Sequence, residues 1–451
     1  MNKSFNFLKE WITNLNFEVS VKHSSFENYY SNLKNSKFDC AFLSDYNHES
    51  SENSWFCSQV ILELVIKNNT ITISTTESSL TEQITNDEYF LLLDNLSILI
   101  QSVPENYILG GYLSYELGEK IEIFKNRFTS FRDNDVYLAF YRNCSHFNHI
   151  QNLITEISVT NKLWISLNKA EIPFPKTGRS DDKNSYMTKV EKIRNLIRHG
   201  EVYQVNLSQR FCVESDKDSR ELFFSTFENN PAPFYFYINT NDEEIVSTSP
   251  ERFIKWDAGF LETRPIKGTI KRGLSEKEDE INREWLINSQ KDESELSMII
   301  DLMRNDISKI SHYNSVKVES EGNVEKYSNV FHRVGIVTSL TDKDIGFGTI
   351  MKAVFPGGSI TGCPKIRSME VISDLEQECR GVYTGSAVLL SKNYFDSSIL
   401  IRTIIKRGKS FSFRVGGGVV YDSDPLSEYE ETLSKGETIM KFLDVHDKSE
   451  T

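Results

Sequence analysis

A lysine and a glutamate form the first pair of residues with chemical potential. Lys267 stands between an isoleucine and a glycine in RPIKGTIKRG, residues 264–273, and Glu251 lies in the earlier segment STSPERF. A lysine shielded from water loses its proton more easily and becomes a nucleophile, while a nearby carboxylic acid can protonate a leaving hydroxyl. Spacing alone does not bring the two side chains together, and a solvated surface charge is the other interpretation of Lys267.

Two pairs of acidic residues form the second candidate site. Asp292 and Glu295 lie three positions apart in KDESELSMIIDLMRND, and Glu428 and Glu431 do so in DPLSEYEETLSKGE. Residues at i and i+3 share one face of a helix. Two such faces opposite each other would offer the oxygen ligands that Mg²⁺ takes together with waters and an anionic substrate. The same spacing is typical of a solvated helix face.

Glycine-rich segments and isolated basic residues complete the candidates. SITGCPKIRSM places Gly362 and Pro364 before a helical pattern, and FRVGGGVVYDSDP places three glycines after a strand pattern. Both allow backbone N–H groups to approach an anion, although neither matches a P-loop or a dinucleotide-binding fingerprint. Arg402 and Lys365 could pair with a small acid or form structural ion pairs. His332, in VFHRVGIV, is a possible acid or base, or a core residue.

The elements that must position these residues follow from the hydrophobic pattern. SYMTKVEKIRNLIRHG predicts an amphipathic helix with Ser185 as its cap and Gly200 as its end. EVYQVNLSQRF alternates with period two and predicts a strand whose polar face includes Gln204. Long helices are predicted near residues 276–306 and 425–443. Strands and helices without regular alternation predict an α+β fold, with large antiparallel sheets packed against flanking helices.

A break in composition divides the chain. The segment NKAEIPFPKTGRSDDKNS, about residues 168–185, combines two prolines, a glycine and a polar cluster. Before it, TITIST alternates like a strand and GGYLSYELG, residues 110–118, predicts a tight turn. We therefore predict a sheet-rich N-terminal region over residues 1–175 and a catalytic domain over residues 176–451.

Composition argues against several partners. The net charge of the 451 residues is −14, with acidic residues scattered along the chain, so the basic surface of a nucleic-acid-binding protein is not expected. The N-terminus is too polar for a secretory signal, and the most apolar stretch, YFLLLDNLSILIQ, is short and interrupted by Asp94. We expect a cytoplasmic protein that binds neither nucleic acid nor membrane. Six widely spaced cysteines predict reduced thiols.

Taken together, these segments resemble those of the chorismate-utilising enzymes. Eight motifs occur in the order of that family between about residues 185 and 443: GEVYQVNLSQRF, STSPERF, RPIKGT, DLMRND, FPGGSITGCPK, GVYTGS, VGGGVVYDSDP and EYEETLSKG. The N-terminal GGYLSYELG also resembles the first part of the family. The resemblance covers nearly the whole chain and implies the fold of the anthranilate synthase component I type.

The resemblance also implies roles for the candidate residues. Mg²⁺ would bridge the ring carboxylate of chorismate to the two acidic helices. Glu295 and Glu431 match its inner ligands, and Asp292 and Glu428 match positions that act through water. His332 matches a histidine near the ring. The residues expected around the substrate's two carboxylates and next to the lysine are Thr361, Gly362, Tyr383, Arg402, Gly416, Gly418, Gly268 and Thr269.

Branches of this family differ in the nucleophile that they add. Isochorismate and salicylate synthases, which add water, carry a lysine where this chain has Gln204, so Gln204 argues against water addition. Anthranilate synthases add ammonia at C2 and typically read PIAGT, whereas PIKGT, which contains Lys267, resembles the aminodeoxychorismate synthases that add ammonia at C4. Anthranilate synthesis and non-catalytic chorismate binding remain as alternatives.

The same resemblance implies a mechanism and partners. Lys267 would add to C2 of chorismate as the C4 hydroxyl leaves with a proton from Glu251, and ammonia would then add at C4 and expel the lysine. No cysteine stands in a glutaminase motif, so a separate glutaminase subunit would supply ammonia, and a separate lyase would form 4-aminobenzoate for folate synthesis. The segment AFLSDYN, residues 41–47, lacks the glutamate of tryptophan-regulated relatives, so we do not expect feedback inhibition; a structurally bound tryptophan remains open.

Overall fold

The computed structural model describes residues 2–121, 134–167, 174 and 178–444. The α-helices in this part of the chain are α1 Asn2–Thr13, α2 Phe26–Asn35, α3 Asn86–Leu99, α4 Lys183–Arg198, α5 Ser219–Asn229, α6 Glu276–Ile287, α7 Gln290–Ser308, α8 Phe347–Val354, α9 Lys365–Glu376 and α10 Pro425–Phe442. Short 3₁₀ helices cover Ile100–Ser102, Tyr115–Lys120 and Gly358–Ile360. No helix in the described ranges is both long and apolar enough to cross a membrane.

Twenty-two strands over the described residues alternate irregularly with these helices. They are β1 Phe17–His23, β2 Cys40–Leu43, β3 Asn53–Lys67, β4 Thr70–Thr75, β5 Ser79–Gln83, β6 Leu109–Leu113, β7 Val136–Asn148, β8 Leu153–Val159, β9 Gly178–Arg179, β10 Gln204–Glu214, β11 Phe234–Asn239, β12 Glu244–Ser249, β13 Arg252–Asp257, β14 Phe260–Thr263, β15 Ile266–Lys271, β16 Lys317–Lys326, β17 Val330–Leu340, β18 Gly362–Cys363, β19 Ser386–Ser391, β20 Tyr394–Ile399, β21 Thr403–Arg407 and β22 Ser410–Val419. The pairings between them are antiparallel. The predicted α+β class is confirmed.

Strands from the two sides of the predicted domain boundary pair with each other. β2 pairs with β11, and β6 pairs with β19. The largest apolar cluster likewise contains residues from both sides, such as Leu138 and Val388. The N-terminal part therefore completes the sheet on which the second part is built. The division at residue 175 stays a prediction, and residues 168–173 and 175–177 lie outside the described residues.

Several local predictions need correction. The predicted helix over residues 276–306 is two helices, α6 and α7. The helix is interrupted at Ser289, whose side chain caps the N-terminus of α7. Helix α4 begins two residues before Ser185, since Asp182 is the cap and its carboxylate accepts from the Ser185 N–H. The end of α4 before Gly200 is confirmed, as is the long helix predicted at residues 425–443.

Glycines explain the other corrections. GGYLSYELG is not a tight turn: Gly110 and Gly111 lie inside β6, and the segment continues into the 3₁₀ helix Tyr115–Lys120. A Cβ on Gly111 would lie 2.0 Å from the Tyr137 carbonyl oxygen of β7, so this glycine permits close strand approach. The three glycines of residues 416–418 likewise lie within β22 rather than after it.

Amphipathic patterning explains how α7 and α10 pack on the sheet. In α7 the buried side chains recur at helical spacing from Leu296 to Ile307 and pack on β15, β16 and β17. A Cβ on Gly335 of β17 would lie 2.7 Å from Ile300, so the helix sits close against that strand. Helix α10 packs on β22 and α4 through residues such as Tyr429. Asp292 of α7 lies beside Gly268 of β15, and Glu428 and Glu431 of α10 lie beside Gly417 of β22.

Candidate active site

Lys267 and Glu251 come together in the folded chain. Glu251 is 5% exposed and lies between β12 and β13, whereas the partly buried Lys267 lies on β15 and donates to the Ser359 carbonyl oxygen at 3.3 Å. Burial lowers the pKa of Lys267, against the opposing effects of Glu295 and Glu251. Burial raises the pKa of Glu251 to about 7, against a hydrogen bond from the Ser359 side chain and the charge of Lys267. Each group is shifted toward its neutral form, as a nucleophile and a general acid require.

A β-bulge positions Lys267. The register between β15 and β17 shifts between Ile266 and Thr269, so that two residues of β15, Lys267 and Gly268, stand opposite one residue of β17. Gly268 has φ +83°, and a Cβ there would lie 2.9 Å from the Asp292 side chain. Bulges redirect side chains beside active sites, and glycine accommodates the backbone. Lys267 therefore lies outside the regular pairing of β15 with β17.

His332 is a buried, neutral imidazole beside this bulge. It is 2% exposed, and its Nδ1 lies 2.8 Å from the Thr269 hydroxyl. Burial, together with the charge of Arg402, lowers the pKa of His332 to about 3. The Tyr327 ring stands edge-on to the imidazole at 4.6 Å between centroids. Its Nε2 has no hydrogen-bond partner among the described residues, and so remains available to a ligand.

The four acidic residues predicted as metal ligands lie in pairs on α7 and α10. Burial raises the pKa of Glu295 and of Glu428, and the charge of Glu431 raises both further. A Cβ on Gly417 would lie 3.4 Å from Glu428 Oε2 and 3.6 Å from Glu431 Oε1. Asp292 packs against the bulge described above. The fold therefore brings Glu295 of α7 close enough to Glu431 of α10 for their charges to interact.

These carboxylates fit a cation that is shared with an anionic ligand. Within the described ranges, no three His, Cys, Asp or Glu side chains are arranged to hold a metal ion by themselves. Mg²⁺ commonly takes only one or two protein carboxylates and completes its octahedron with waters and substrate oxygens. Burial is the main cause of the raised pKa of Glu295 and of Glu428, and the repulsion from Glu431 that adds to it is an interaction that a divalent cation would relieve.

Three glycines approach strand β10 closely around Gln204. Gly416 and Gly418 belong to β22, which pairs with β10. A Cβ on Gly416 would lie 2.1 Å from the Leu207 carbonyl oxygen, and one on Gly418 would lie 2.0 Å from Gln204 Nε2. Gly362 has φ +138°, and its Cβ would lie 2.1 Å from the Gln204 carbonyl oxygen. Gln204 is 1% exposed, and its Oε1 has no partner in the part of the chain that the structure describes.

The remaining expected substrate contacts have different surroundings. Thr361 is fully buried and its hydroxyl donates to the Gly357 carbonyl oxygen at 2.9 Å, so it stabilises its own turn; a role in binding stays a prediction. Burial raises the pKa of Tyr383 to about 12. Arg402 has φ +51°, a strained conformation for a non-glycine residue, of the kind that concentrates at functional sites. Its charge is close enough to Glu251 to lower that residue's pKa.

The sequence identified some residues of the site but did not distinguish basic residues that could bind a ligand from those in structural ion pairs. Lys365 pairs with Asp306 and donates to the Val354 carbonyl oxygen at 2.8 Å, so the alternative of a structural ion pair applies to it. Ser359, which contacts both members of the central pair, was missed, although its motif GGSITG was recognised. Tyr327 was also missed, and no local pattern indicates its contact with the imidazole of β17.

Comparison with known proteins shows which family the chain resembles. A family described as chorismate binding enzyme matches residues 50–441. Aminodeoxychorismate synthase component 1 of Bacillus subtilis is 34% identical over 366 residues, which are 75% of this chain and 77% of that protein. Anthranilate synthase component 1 of Aquifex aeolicus is 33% identical over 304 residues, 67% of this chain; the match spans only 62% of that protein's length. Relatives with two different reactions are thus equally similar.

A solved structure supports the fold. The crystal structure of anthranilate synthase component I from Streptococcus pneumoniae superposes with a TM-score of 0.71 at 26% identity. The superposition covers 86% of this chain and 92% of that chain. The expected fold type is therefore confirmed.

Proposed function

The chain belongs to the family of chorismate-binding enzymes, and from this membership we propose that it is an aminodeoxychorismate synthase component I. The reaction converts chorismate and ammonia to 4-amino-4-deoxychorismate. One observation carries the choice of this branch: Lys267, where anthranilate synthases typically have alanine, has a lowered pKa and stands beside a carboxyl whose pKa is raised to about 7.

The first step uses this pair. The neutral amine of Lys267 adds to C2 of chorismate, the two ring double bonds shift, and the C4 hydroxyl leaves as water with the proton of Glu251. The charges of Glu251 and Lys267 interact, and in this proposal the carboxylate formed on Glu251 accepts the proton that the alkylated amine must lose. Ammonia then adds at C4, the double bonds return, and the lysine nitrogen leaves C2 with a proton. A covalent adduct divides one difficult substitution into two easier steps.

Other residues hold and orient the substrate. Arg402, Tyr383 and the backbone of Gly416 and Gly418 bind the enolpyruvyl carboxylate in this proposal. His332 presents its Nε2 to the ring, and because its pKa is near 3 it acts there as a neutral donor or acceptor rather than as a cation. The ring carboxylate lies toward the turn of residues 361–362.

Mg²⁺ belongs to the same proposal. Glu295 and Glu431 would hold it directly, with Asp292 and Glu428 acting through water, and it would neutralise the ring carboxylate of the substrate. A glutaminase partner supplies the ammonia, which accords with the "component 1" in the names of the relatives. A cytoplasmic setting and a separate lyase that forms 4-aminobenzoate complete the proposal.

The test is direct. The purified chain is incubated with chorismate, MgCl₂ and ammonium chloride, and the product is identified by mass before and after adding an aminodeoxychorismate lyase. A product that yields 4-aminobenzoate only with the lyase supports the proposal, whereas anthranilate formed without lyase moves the chain to the anthranilate synthases. That second function is favoured by the equal identity of its component 1 relatives. Chorismate binding without turnover would identify a non-catalytic protein.

The adduct has its own test. Intact-mass measurement after chorismate treatment without ammonia is expected to show a covalent adduct on the native chain and none on Lys267→Ala. Lys271→Ala is the matched control, because Lys271 lies on the same strand, β15, but is exposed. An adduct that persists in Lys267→Ala, or full turnover by that variant, would show the covalent mechanism to be wrong.

A further inference from the structure

The N-terminal segment GGYLSYELG contacts the loop that precedes Tyr383. Glu116, 2% exposed, lies in the 3₁₀ helix Tyr115–Lys120. Its Oε1 accepts from the Arg380 backbone N–H at 2.7 Å, and its Oε2 accepts from the Gly381 N–H at 3.0 Å. The Tyr115 N–H donates to the Gly381 carbonyl oxygen at 2.9 Å. Both carboxylate oxygens are therefore used to hold the backbone of a segment far away in the chain.

The side chain of Arg380 extends this connection. Its Nη1 donates to the Ile360 carbonyl oxygen at 2.9 Å, and its Nη2 donates to the Asn206 carbonyl oxygen at 2.7 Å. Ile360 directly precedes the turn expected to bind the ring carboxylate, and Asn206 lies on β10 two residues after Gln204. A single guanidinium thus joins the segment that leads to Thr361 and Gly362 to the strand that carries Gln204.

Aromatic rings and a buried carboxylate fix the guanidinium itself. Its carbon lies 4.9 Å from the Tyr115 ring and 5.9 Å from the Tyr383 ring. Glu376 accepts from Nε at 3.0 Å and from Nη2 at 2.7 Å. Buried, fully bonded polar networks have one well-defined geometry, because any displaced member leaves a polar group unsatisfied. The position of Tyr383 therefore depends on this network.

We propose that Glu116 is a positioning residue for chorismate binding: it anchors residues 380–381 and so sets the place of Tyr383 and of the turn at residues 360–362. This inference rests on the proposed function for the identity of the ligand. The proposal gives the N-terminal motif a role in substrate binding. This role is separate from the chemistry at Lys267. The carboxylate acts through the loop and does not touch the substrate.

Glu116→Gln tests the proposal, because it keeps the side-chain size but replaces one acceptor oxygen by an N–H₂ group that faces a backbone N–H donor. In the ammonium-dependent assay we expect KM for chorismate to rise about 10- to 100-fold, the size of a lost hydrogen bond to a charged group. We expect kcat to change by less than about threefold, since the hydrogen bonds of Glu116 and of the Arg380 side chain go to groups other than Lys267 and Glu251. Glu105→Gln, at an exposed glutamate, is the matched control and should match the native chain.

A second measurement does not depend on activity. Hydrogen exchange of the ligand-free protein is expected to be faster in Glu116→Gln for the amides of residues 380–384, while the amides of the distant helix α5 keep their native rates. Glu116→Asp retains the charge but is one methylene shorter, so it should fold and show an intermediate KM and intermediate exchange. This variant decides the matter if Glu116→Gln does not fold.

The possible outcomes distinguish the positioning role of Glu116 from the proposed function of the chain. Unchanged KM and unchanged exchange at residues 380–384 in either variant would overturn the positioning role. An equal fall in kcat without a rise in KM would also overturn it. A native chain that neither binds nor consumes chorismate, while Glu116→Gln still accelerates exchange in the loop, would refute the proposed function and leave the anchoring of the loop supported.

Discussion

Replacing Glu251 by glutamine tests the acid assigned to the leaving hydroxyl. Burial raises the pKa of Glu251 to about 7. The carboxyl group is therefore about 90% protonated at pH 6 and about 10% protonated at pH 8. If only the protonated form delivers the proton, its contribution to the rate falls about tenfold over this interval. The lowered pKa of Lys267 acts in the opposite direction, because the neutral amine becomes more abundant as the pH rises.

The assay should separate these two effects. Single-turnover formation of the chorismate adduct, followed by quenched-flow mass spectrometry without ammonia, removes the ionisation of ammonia from the profile. Glutamine cannot titrate, so the Glu251→Gln profile contains the lysine dependence alone. The ratio of native to variant rate is expected to be about 10²–10⁴ at pH 6, the usual contribution of a general acid, and to fall about tenfold by pH 8.

Folding of the variant provides the control. The pKa of the buried carboxyl lies above the value of 4.5 for an unperturbed glutamate. The folded state therefore holds the proton more tightly, and ionising Glu251 removes stability as the pH rises from about 4.5 through about 7. Glu251→Gln avoids this loss, so its Tm at pH 8 should equal or exceed that of the native chain. A flat rate ratio between pH 6 and 8, in a folded variant, would refute the assignment.

Three further predictions concern the walls of the site. Gly416→Ala is expected to destabilise the fold by about 2–4 kcal/mol in denaturant unfolding, because its Cβ would lie 2.1 Å from the Leu207 carbonyl oxygen in the paired strand. Gly417→Ala, whose Cβ would lie 3.4 Å from the nearest carboxylate oxygen, should unfold like the native chain; equal losses in both would contradict the reasoning. The His332 imidazole, with its pKa lowered by burial to about 3, should show no NMR titration between pH 5 and 8, and a titration there would disprove its burial as a neutral group. Removal of divalent ions with EDTA should abolish ammonium-dependent turnover, MgCl₂ should restore it, and Glu295→Gln should raise the MgCl₂ concentration required; activity indifferent to EDTA would exclude the shared cation.

The structural role of individual glycines could not be predicted from the sequence. Gly110 and Gly111 predicted a turn, yet they lie in a strand that approaches its neighbour closely. Glycine both allows positive φ and removes the Cβ, and local sequence does not tell which property is needed. Gly268 uses both, since it has φ +83° and contacts Asp292 closely.

The partners of the basic residues could not be predicted from the sequence either. Lys365 and Arg402 were equal candidates for binding an acid, but Lys365 pairs with Asp306 of α7. Arg402 instead lies near Glu251 and His332, whose pKa values it affects. Their partners come from distant parts of the chain, so no spacing within a motif could distinguish them.

The sequence by itself determined the α+β class, the helix α10, the strand β10 with Gln204 on its polar face, and the residue types of the site. These follow from the periods of helix and strand, which relate each residue to neighbours within a few positions. Only the tertiary structure decided that Lys267 is a shielded amine beside Glu251 rather than a solvated charge. The free energy of a charge depends on the water removed from it and on partners from other segments, and both are properties of the assembled fold.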